Sequence, residues 1–180
     1  MEEYIGVKFN FLDDGARIEE NQIKKFLEID GELGRFLKTR KNEGNLSMRS
    51  GAGFLIKRAG ARMTKLRKSD VVFVRKIVRG MVFCSGGTPS SESLMHYNIY
   101  KKVRSAYIIL HYHYDKLLNR LKVKKVGPFQ YGSLALARNV GKTARKNKII
   151  EITRHGFVIT AKNQKELYAY LTEIINGEYE

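Results

Sequence analysis

Two histidines close an apolar run in the stretch "AYIILHYHYDKLL", which covers residues 106–118. His111 and His113 are separated by one residue, and the whole chain has only four histidines. Side chains at positions i and i+2 of a β-strand point to the same face, so the two imidazoles are expected side by side. Such a pair can bind one divalent metal ion. The alternatives are an exposed edge pair or two histidines that are satisfied within a polar cluster.

A metal site needs a further ligand, and two histidines remain as candidates. His155 lies in the short "RHG" turn between two predicted strands, and the end of a strand is a common place for a functional residue. His96 follows Glu92 by four residues, which places both on one face of a predicted helix. A catalytic zinc ion keeps three protein ligands and leaves one position open.

Two segments carry residue types that bind phosphate. The segment "GNLSMR" opens with a glycine turn and contains Asn45, and "PSSE" contains Ser90 and Ser91 just before a predicted helix. Hydroxyls and unpaired backbone N–H groups at a helix N-terminus form a favourable anion site. A pair of serines before a helix is also a common N-cap, so neither segment is specific by itself.

The elements that must position these residues alternate between strand and helix. Hydrophobic periodicity, glycines and turn residues predict their bounds. The predicted strands are 4–11, 54–57, 71–74, 80–84, 105–113, 148–153 and 157–160. The predicted helices are a broken or double helix over 19–38, one after Pro89, one over 132–147 with Ser133 as N-cap, and one over 163–175. This alternation favours a layered α/β or α+β domain, but it does not give the strand order.

The size and composition of the chain fit one globular domain over residues 1–180. A length of 180 residues with 43% hydrophobic residues is enough to bury a core. No apolar run approaches the ~18 residues of a membrane span, and the acidic start lacks a signal-peptide hydrophobic region. The single cysteine, Cys84, cannot form an internal disulfide, so a cytoplasmic location is expected.

The net charge of +16 is concentrated in one part of the chain. Residues 1–34 carry a net charge of −5, residues 35–80 carry +12, and the rest carry +9. A basic segment attracts nucleic acid, phosphorylated metabolites or counterions. The chain has no aromatic ribonucleoprotein motif, no GxxG clamp in a helical hairpin and no zinc-finger spacing, so nucleic acid is a disfavoured partner.

Four motifs in order resemble the class II aldolase/adducin family. They are "GNLSMR", "FLIKRAGARMTKLRKSDVVFV", "PSSESLMHYNIYKKVRSAYIILHYH" and "ITRHG", and the similarity runs from about residue 26 to 172. The resemblance implies a three-layer α/β/α sandwich around a mostly antiparallel sheet. It also implies a divalent ion, most often Zn²⁺ with Mn²⁺, Co²⁺ or Fe²⁺ as alternatives, held by His111, His113 and His155. Glu92 matches the acid/base glutamate beside the metal.

The same resemblance implies a substrate and a reaction. The family's phosphate-binding groups map onto Asn45, Gly60, Ser90 and Ser91. The expected function is a metal-dependent lyase of aldolase type, which cleaves or forms a C–C bond in a small phosphorylated ketose through a metal-stabilised enediolate. A dehydratase, decarboxylase or epimerase acting on a sugar phosphate remains the alternative, as does a non-catalytic or nucleic-acid-binding relative. Family members are typically homo-oligomers, and a tetramer with sites at subunit borders is favoured.

The sequence departs from the family pattern in three places. "KRAG" puts Lys57 and Arg58 where small neutral residues are usual, and these cations either bind an additional phosphate or carboxylate or face solvent. The segment after "HYH" is short and offers no clear counterpart to the aldolases' catalytic tyrosine, since Tyr131 aligns with a later aromatic position. The C-terminal tail that covers the aldolase site is matched only loosely, by Tyr179.

Overall fold

The computed structural model describes residues 10–40, 42–115 and 118–176. Its strands are β1 (Phe11–Asp13), β2 (Asn45–Ser50), β3 (Gly53–Lys57), β4 (Val71–Val78), β5 (Met81–Ser85), β6 (Ile108–Tyr112), β7 (Lys124–Val126), β8 (Ile149–Ile152) and β9 (Gly156–Ala161). Its helices are α1 (Glu20–Leu33), α2 (Ser93–Lys102), α3 (Leu134–Thr143) and α4 (Gln164–Asn176). None of the helices in these three ranges is long and apolar enough to cross a membrane.

All the described strands belong to one sheet. Their order is β1-β5-β4-β3-β2-β6-β9-β8-β7. The two outermost pairs, β1 with β5 and β7 with β8, are parallel, and every other neighbouring pair is antiparallel. The prediction of a mostly antiparallel sheet is therefore confirmed.

Helices cover both faces of this sheet. In β6, Leu110 faces one apolar cluster and Ile109 faces another, as the period-two alternation of a strand requires. The first cluster contains Phe26 of α1 and Leu167 of α4, and the second contains apolar side chains of α2 and α3. A strand that is buried on both faces reads as a continuous apolar run, which explains "YIIL". The predicted three-layer α/β/α sandwich is confirmed.

Most predicted elements are present, and the differences have physical causes. The predicted strand 4–11 lies mostly outside the described residues, as does the C-terminal tail with Tyr179. The predicted break in the first helix is wrong, because α1 runs through Gly31 and ends before Gly34. Its buried apolar stripe continues across Gly31, and this packing outweighs the ~1 kcal/mol that a helical glycine costs. The predicted strand 105–113 ends at Tyr112, so His113 follows β6.

The strand directions bring four functional segments to one end of the sheet. Asn45, the first residue of β2, pairs with His111 in β6, and Tyr112 at the end of β6 pairs with Phe157 at the start of β9. The antiparallel partner of β2, β3, ends at Lys57 on the same side. This end of the sheet is where the histidines and the phosphate-binding candidates meet.

Candidate metal centre

Four side chains converge at this end of the sheet. Glu92 is the N-cap residue of α2, His111 lies in β6, His113 follows β6, and His155 lies in the turn between β8 and β9. Each offers one ligand atom, and these four atoms lie within 4.8 Å of one another. The structure therefore brings together the residues that the resemblance implied as a site, although they come from three separate parts of the chain.

The distances between the ligand atoms of these four residues are short. His111 Nε2 lies 2.9 Å from His113 Nε2 and 3.0 Å from Glu92 Oε2. His155 Nε2 lies 3.6 Å from Glu92 Oε1. On the other side of its ring, His111 Nδ1 lies 2.9 Å from the carbonyl oxygen of Phe157. Since a carbonyl only accepts, Nδ1 donates to it and Nε2 is the nitrogen that points at the cluster, an arrangement typical of metal-binding histidines.

The charge of Glu92 is set by its neighbours. Burial alone would raise the pKa of this carboxyl group, but the charge of His111 and its hydrogen bond, with a contribution from His155, hold that pKa well below its ordinary value. Asn45 Nδ2 donates to Glu92 Oε2 at 3.0 Å. The second oxygen, Oε1, is buried and has no hydrogen-bond partner among the described residues.

This donor set fits the divalent ion that the family implies. A buried carboxylate oxygen without a hydrogen-bond donor is unfavourable unless a cation compensates it. Burial, with repulsion from His111 and His155, lowers the pKa of His113 to about 3, so this imidazole is neutral and able to act as a ligand. Three imidazoles and one carboxylate are a ligand set of the kind that zinc and similar ions prefer.

His96, the other candidate for the third histidine, belongs to a different cluster. The Tyr100 hydroxyl donates to the carbonyl of Tyr107 at 3.2 Å and lies 2.9 Å from Ser47 Oγ. Ser47 therefore donates to Tyr100 and accepts from His96 Nδ1, which is 2.6 Å away. His96 is fully buried and is held through Nδ1, while its Nε2 has no hydrogen-bond partner among the described residues. It is not one of the four clustered residues.

A cavity of about 750 Å³ opens beside the four-residue cluster. The four candidate phosphate-binding residues all line it: Asn45, Gly60, Ser90 and Ser91. The two additional cations, Lys57 and Arg58, lie in different places relative to this cavity. Lys57 lines it and is buried, whereas Arg58 is exposed and pairs with Asp70 at 3.3 Å.

Sequence reasoning missed part of the cavity wall. Residues 128–131 line it, and so do Thr153 and Arg154 beside the third histidine. Tyr131 is only 6% exposed, so a tyrosine of this chain's own reaches the cavity. The signal in the sequence was "GPFQYG", a group of glycine, proline and aromatic residues between two predicted elements.

Gly44 lets β2 begin close to a histidine of the cluster. It adopts φ +57°, and an added Cβ would lie 2.4 Å from the carbonyl oxygen of His111. Gly51 adopts a similar φ of +50° but has nothing within 4 Å of the added Cβ. We expect Gly44→Ala to lower the free energy of unfolding by several kcal/mol, because it adds a steric clash to the backbone strain. Gly51→Ala adds the backbone strain without a clash, so we expect it to lower the free energy of unfolding by ~1–2 kcal/mol. Equal midpoints of denaturant unfolding for the two variants would contradict this packing argument.

The chain is similar to several proteins of known name. Residues 25–119, more than half of the chain, match the family described as the class II aldolase and adducin N-terminal domain. An L-fuculose phosphate aldolase of Methanococcus maripaludis is 31% identical over 150 residues, which cover 73% of this chain and 79% of that protein. A methylthioribulose-1-phosphate dehydratase of Methylococcus capsulatus is 35% identical over 97 residues, 50% of this chain and 46% of the dehydratase.

Other similarities are more distant or partial. A fluorothreonine transaldolase of Streptantibioticus cattleyicolor is 27% identical over 137 residues, 74% of this chain. The chain spans only 22% of the length of that transaldolase. A solved structure of an L-fuculose 1-phosphate aldolase superposes with a TM-score of 0.75 at 21% identity, covering 88% of this chain and 84% of that one. That likeness shows the fold, and with the family match it leads to one conclusion: the chain belongs to the class II aldolase and adducin family.

Proposed function

We propose that the protein is a divalent-metal-dependent lyase of aldolase type, acting on a C–C bond of a small phosphorylated ketose. The observation that carries this proposal is the convergence of Glu92, His111, His113 and His155 beside the cavity. Membership of a metal-dependent enzyme family supports it. Zinc is the ion we expect first. We also expect one domain over residues 1–180 and a homo-oligomer, with a tetramer favoured.

Each residue has a defined part in this proposal. The three histidines would hold a divalent ion, which when bound would supply Lewis-acid stabilisation of the negative charge that develops on the substrate oxygens. Glu92 accepts and returns the substrate proton, because its ionised, buried carboxylate faces the cavity. Asn45 holds the Glu92 carboxylate through its amide hydrogen bond. The phosphate is held away from the reacting carbons, which orients the substrate, by Asn45, Gly60, Ser90 and Ser91.

A dehydratase acting on a sugar phosphate is the second candidate. The 35% identity to the dehydratase of Methylococcus capsulatus over half of the chain favours it. In a dehydration the base removes a proton from the carbon beside the carbonyl, and the hydroxyl on the next carbon then leaves as water when its C–O bond breaks. In aldol cleavage the base takes the proton of the hydroxyl on that next carbon, the C–C bond breaks, and the carbon beside the carbonyl is then protonated. The same glutamate could serve as the acid/base in both reactions, and the same ion would stabilise the charge on the carbonyl oxygen.

One experiment separates these candidates. Metal-loaded protein would be incubated with a panel of phosphorylated ketoses, and the products followed by NMR spectroscopy. The aldolase proposal predicts an aldehyde and a shorter phosphorylated ketone in equal amounts. A single product with the same carbon number and one water fewer would favour the dehydratase. Full metal loading without turnover of any phosphorylated ketose would contradict both.

A further inference from the structure

The C-terminal ends of α2 and α3 meet at the end of the molecule opposite the metal cluster. α2 begins next to Glu92 of the cluster, and α3 begins just after Tyr131 of the cavity wall, so both helices run away from the site. The strands that follow them, β6 and β8, return to it. An added Cβ at Gly141 of α3 would lie 3.0 Å from Asn98 Cβ of α2, so the two parallel helices are in direct contact.

Six exposed cations form a basic end of the molecule where these helices finish. They are Lys101, Lys102, Arg104, Lys142, Arg145 and Lys146. The segments that follow the two helices both pair with the end of β9. The backbone N–H of Tyr107 donates to the carbonyl of Ala161 at 2.9 Å, and the N–H of Thr160 donates to the carbonyl of Lys148 at 2.8 Å. Residues 93–114 and 116–150 contain no aspartate or glutamate, so no carboxylate of these segments offsets the charge.

Carboxylates from elsewhere do not pair with these cations either. None of the six takes part in an ion pair within residues 10–40, 42–115 and 118–176. The basic segment 35–80 differs, because Arg35, Lys68 and Arg75 pair with carboxylates of the acidic first 34 residues. The charge asymmetry of the sequence is thus partly balanced by the fold, whereas the charge of the basic end is not.

The helix dipoles explain only part of this charge. Cations in the last turn of a helix are favoured, and Lys101, Lys102 and Lys142 lie there. The other three cations follow the C-cap residues, Val103 and Ala144. Two helix C-termini supply roughly one negative charge together, which cannot balance six positive ones. The remaining charge favours an anionic partner.

The surroundings of these cations fit a phosphate backbone better than a protein or a lipid surface. The exposed large apolar side chains of the described residues are Phe11, Leu12, Val78, Leu134 and Ile175, and none lies on α2, the second half of α3 or the segments after them. Protein interfaces and membrane-binding helices need such apolar residues. The Lys101 ammonium lies over the ring of Tyr97, 5.5 Å from its centre, so this tyrosine offers no free platform on which an unpaired base could stack.

We propose that the basic end binds double-stranded nucleic acid through its phosphate backbone, without reading the base sequence. The absence of a recognition motif disfavours sequence-specific binding, but contact with the backbone needs no such motif. None of the six cations lines the cavity beside the metal cluster. The inference is therefore independent of the proposed lyase reaction.

The test is the affinity of the full chain for a fluorescein-labelled DNA duplex, followed by fluorescence anisotropy at increasing salt. Contact with six phosphates predicts a slope of about −5 in the logarithm of the affinity against the logarithm of the salt concentration. Lys142→Gln/Arg145→Gln/Lys146→Gln should reduce the size of this slope by about 3 and weaken binding at least tenfold at low salt. Lys101→Gln/Lys102→Gln/Arg104→Gln should have the same effect, and it is the second variant in case the first disturbs folding.

The matched control is Lys24→Gln/Lys162→Gln/Lys165→Gln. These three lysines are also exposed, but they lie on α1, on α4 and just before α4, on the other face of the sheet. The control removes the same charge and should change the affinity less than threefold. Circular dichroism and metal content should match the wild type in all three variants, because none of the altered residues belongs to the four-residue cluster.

Three results would overturn the inference. The first is the absence of duplex binding at low salt, or binding that does not depend on salt. The second is an equal loss in the control, which would show a general effect of net charge. The third is tighter binding of the basic end to a polyglutamate peptide or to phosphatidylserine vesicles than to the duplex, which would make it a surface for acidic proteins or membranes. Failure of the proposed lyase reaction is a separate outcome, since duplex binding is measured without substrate.

Discussion

The double variant His111→Ala/His113→Ala is expected to lose both bound metal and turnover. It removes two of the three imidazoles in the cluster, including the one whose Nε2 is aimed inward by the hydrogen bond of Nδ1 to the Phe157 carbonyl. One imidazole and one carboxylate cannot retain an ion through purification as a four-residue set can. Elemental analysis should therefore fall from about one metal per chain to nearly none, and kcat/KM should fall to background.

His96→Asn is the matched control for this loss. His96 is also a buried histidine, but it hydrogen-bonds Ser47 and is not one of the four clustered residues. The variant should have a lower Tm and a normal metal content. A double variant that keeps its metal, or a control that loses it to the same extent, would contradict the assignment of the ligands. Circular dichroism of each variant establishes that the fold is present when metal is measured.

Glu92→Gln is expected to retain metal and to lose most of its turnover. Glutamine has the shape of glutamate and still accepts the hydrogen bond from Asn45, but it cannot take up the substrate proton. A positioned acid/base group contributes about 10²–10⁴-fold to a rate, so kcat should fall by about that factor. The three histidines remain in this variant, and the metal content should stay close to one per chain.

The corresponding control is Glu43→Gln. Glu43 lines the same cavity, but its carboxylate accepts from the backbone N–H of Arg40 and lies outside the metal cluster. The same chemical change there should alter kcat less than threefold, which separates proton transfer from a general change in cavity charge. Full turnover by Glu92→Gln on an identified substrate would show that Glu92 is not the acid/base.

The pairing of the histidines was predictable from the sequence, because side-chain alternation is a property of the strand backbone. The strand ends at Tyr112, yet His113 stays beside His111, with their Nε2 atoms 2.9 Å apart. The choice between His96 and His155 was not predictable from spacing, because it depends on how β2 and α2 pack. The family resemblance indicated His155, and the structure places His155, but not His96, in the four-residue cluster.

Other features depended on contacts between distant parts of the chain. The apolar stripe of α1 was visible in the sequence, but its packing, which keeps Gly31 helical, was not. β7 is three residues long and mostly exposed, so it gives no hydrophobic pattern. Lys57 and Arg58 are the clearest case. Two adjacent cations look alike in a sequence, and only the orientation of the end of β3 directs one to the cavity and the other to Asp70.

The central claim is that the three histidines hold a divalent ion beside Glu92. The most direct test is elemental analysis of the purified protein, before and after treatment with a chelator and addition of zinc, manganese, cobalt or iron. The account predicts about one divalent ion per chain, removed by the chelator and restored by addition. A protein that carries no metal and takes up none on addition would contradict the account.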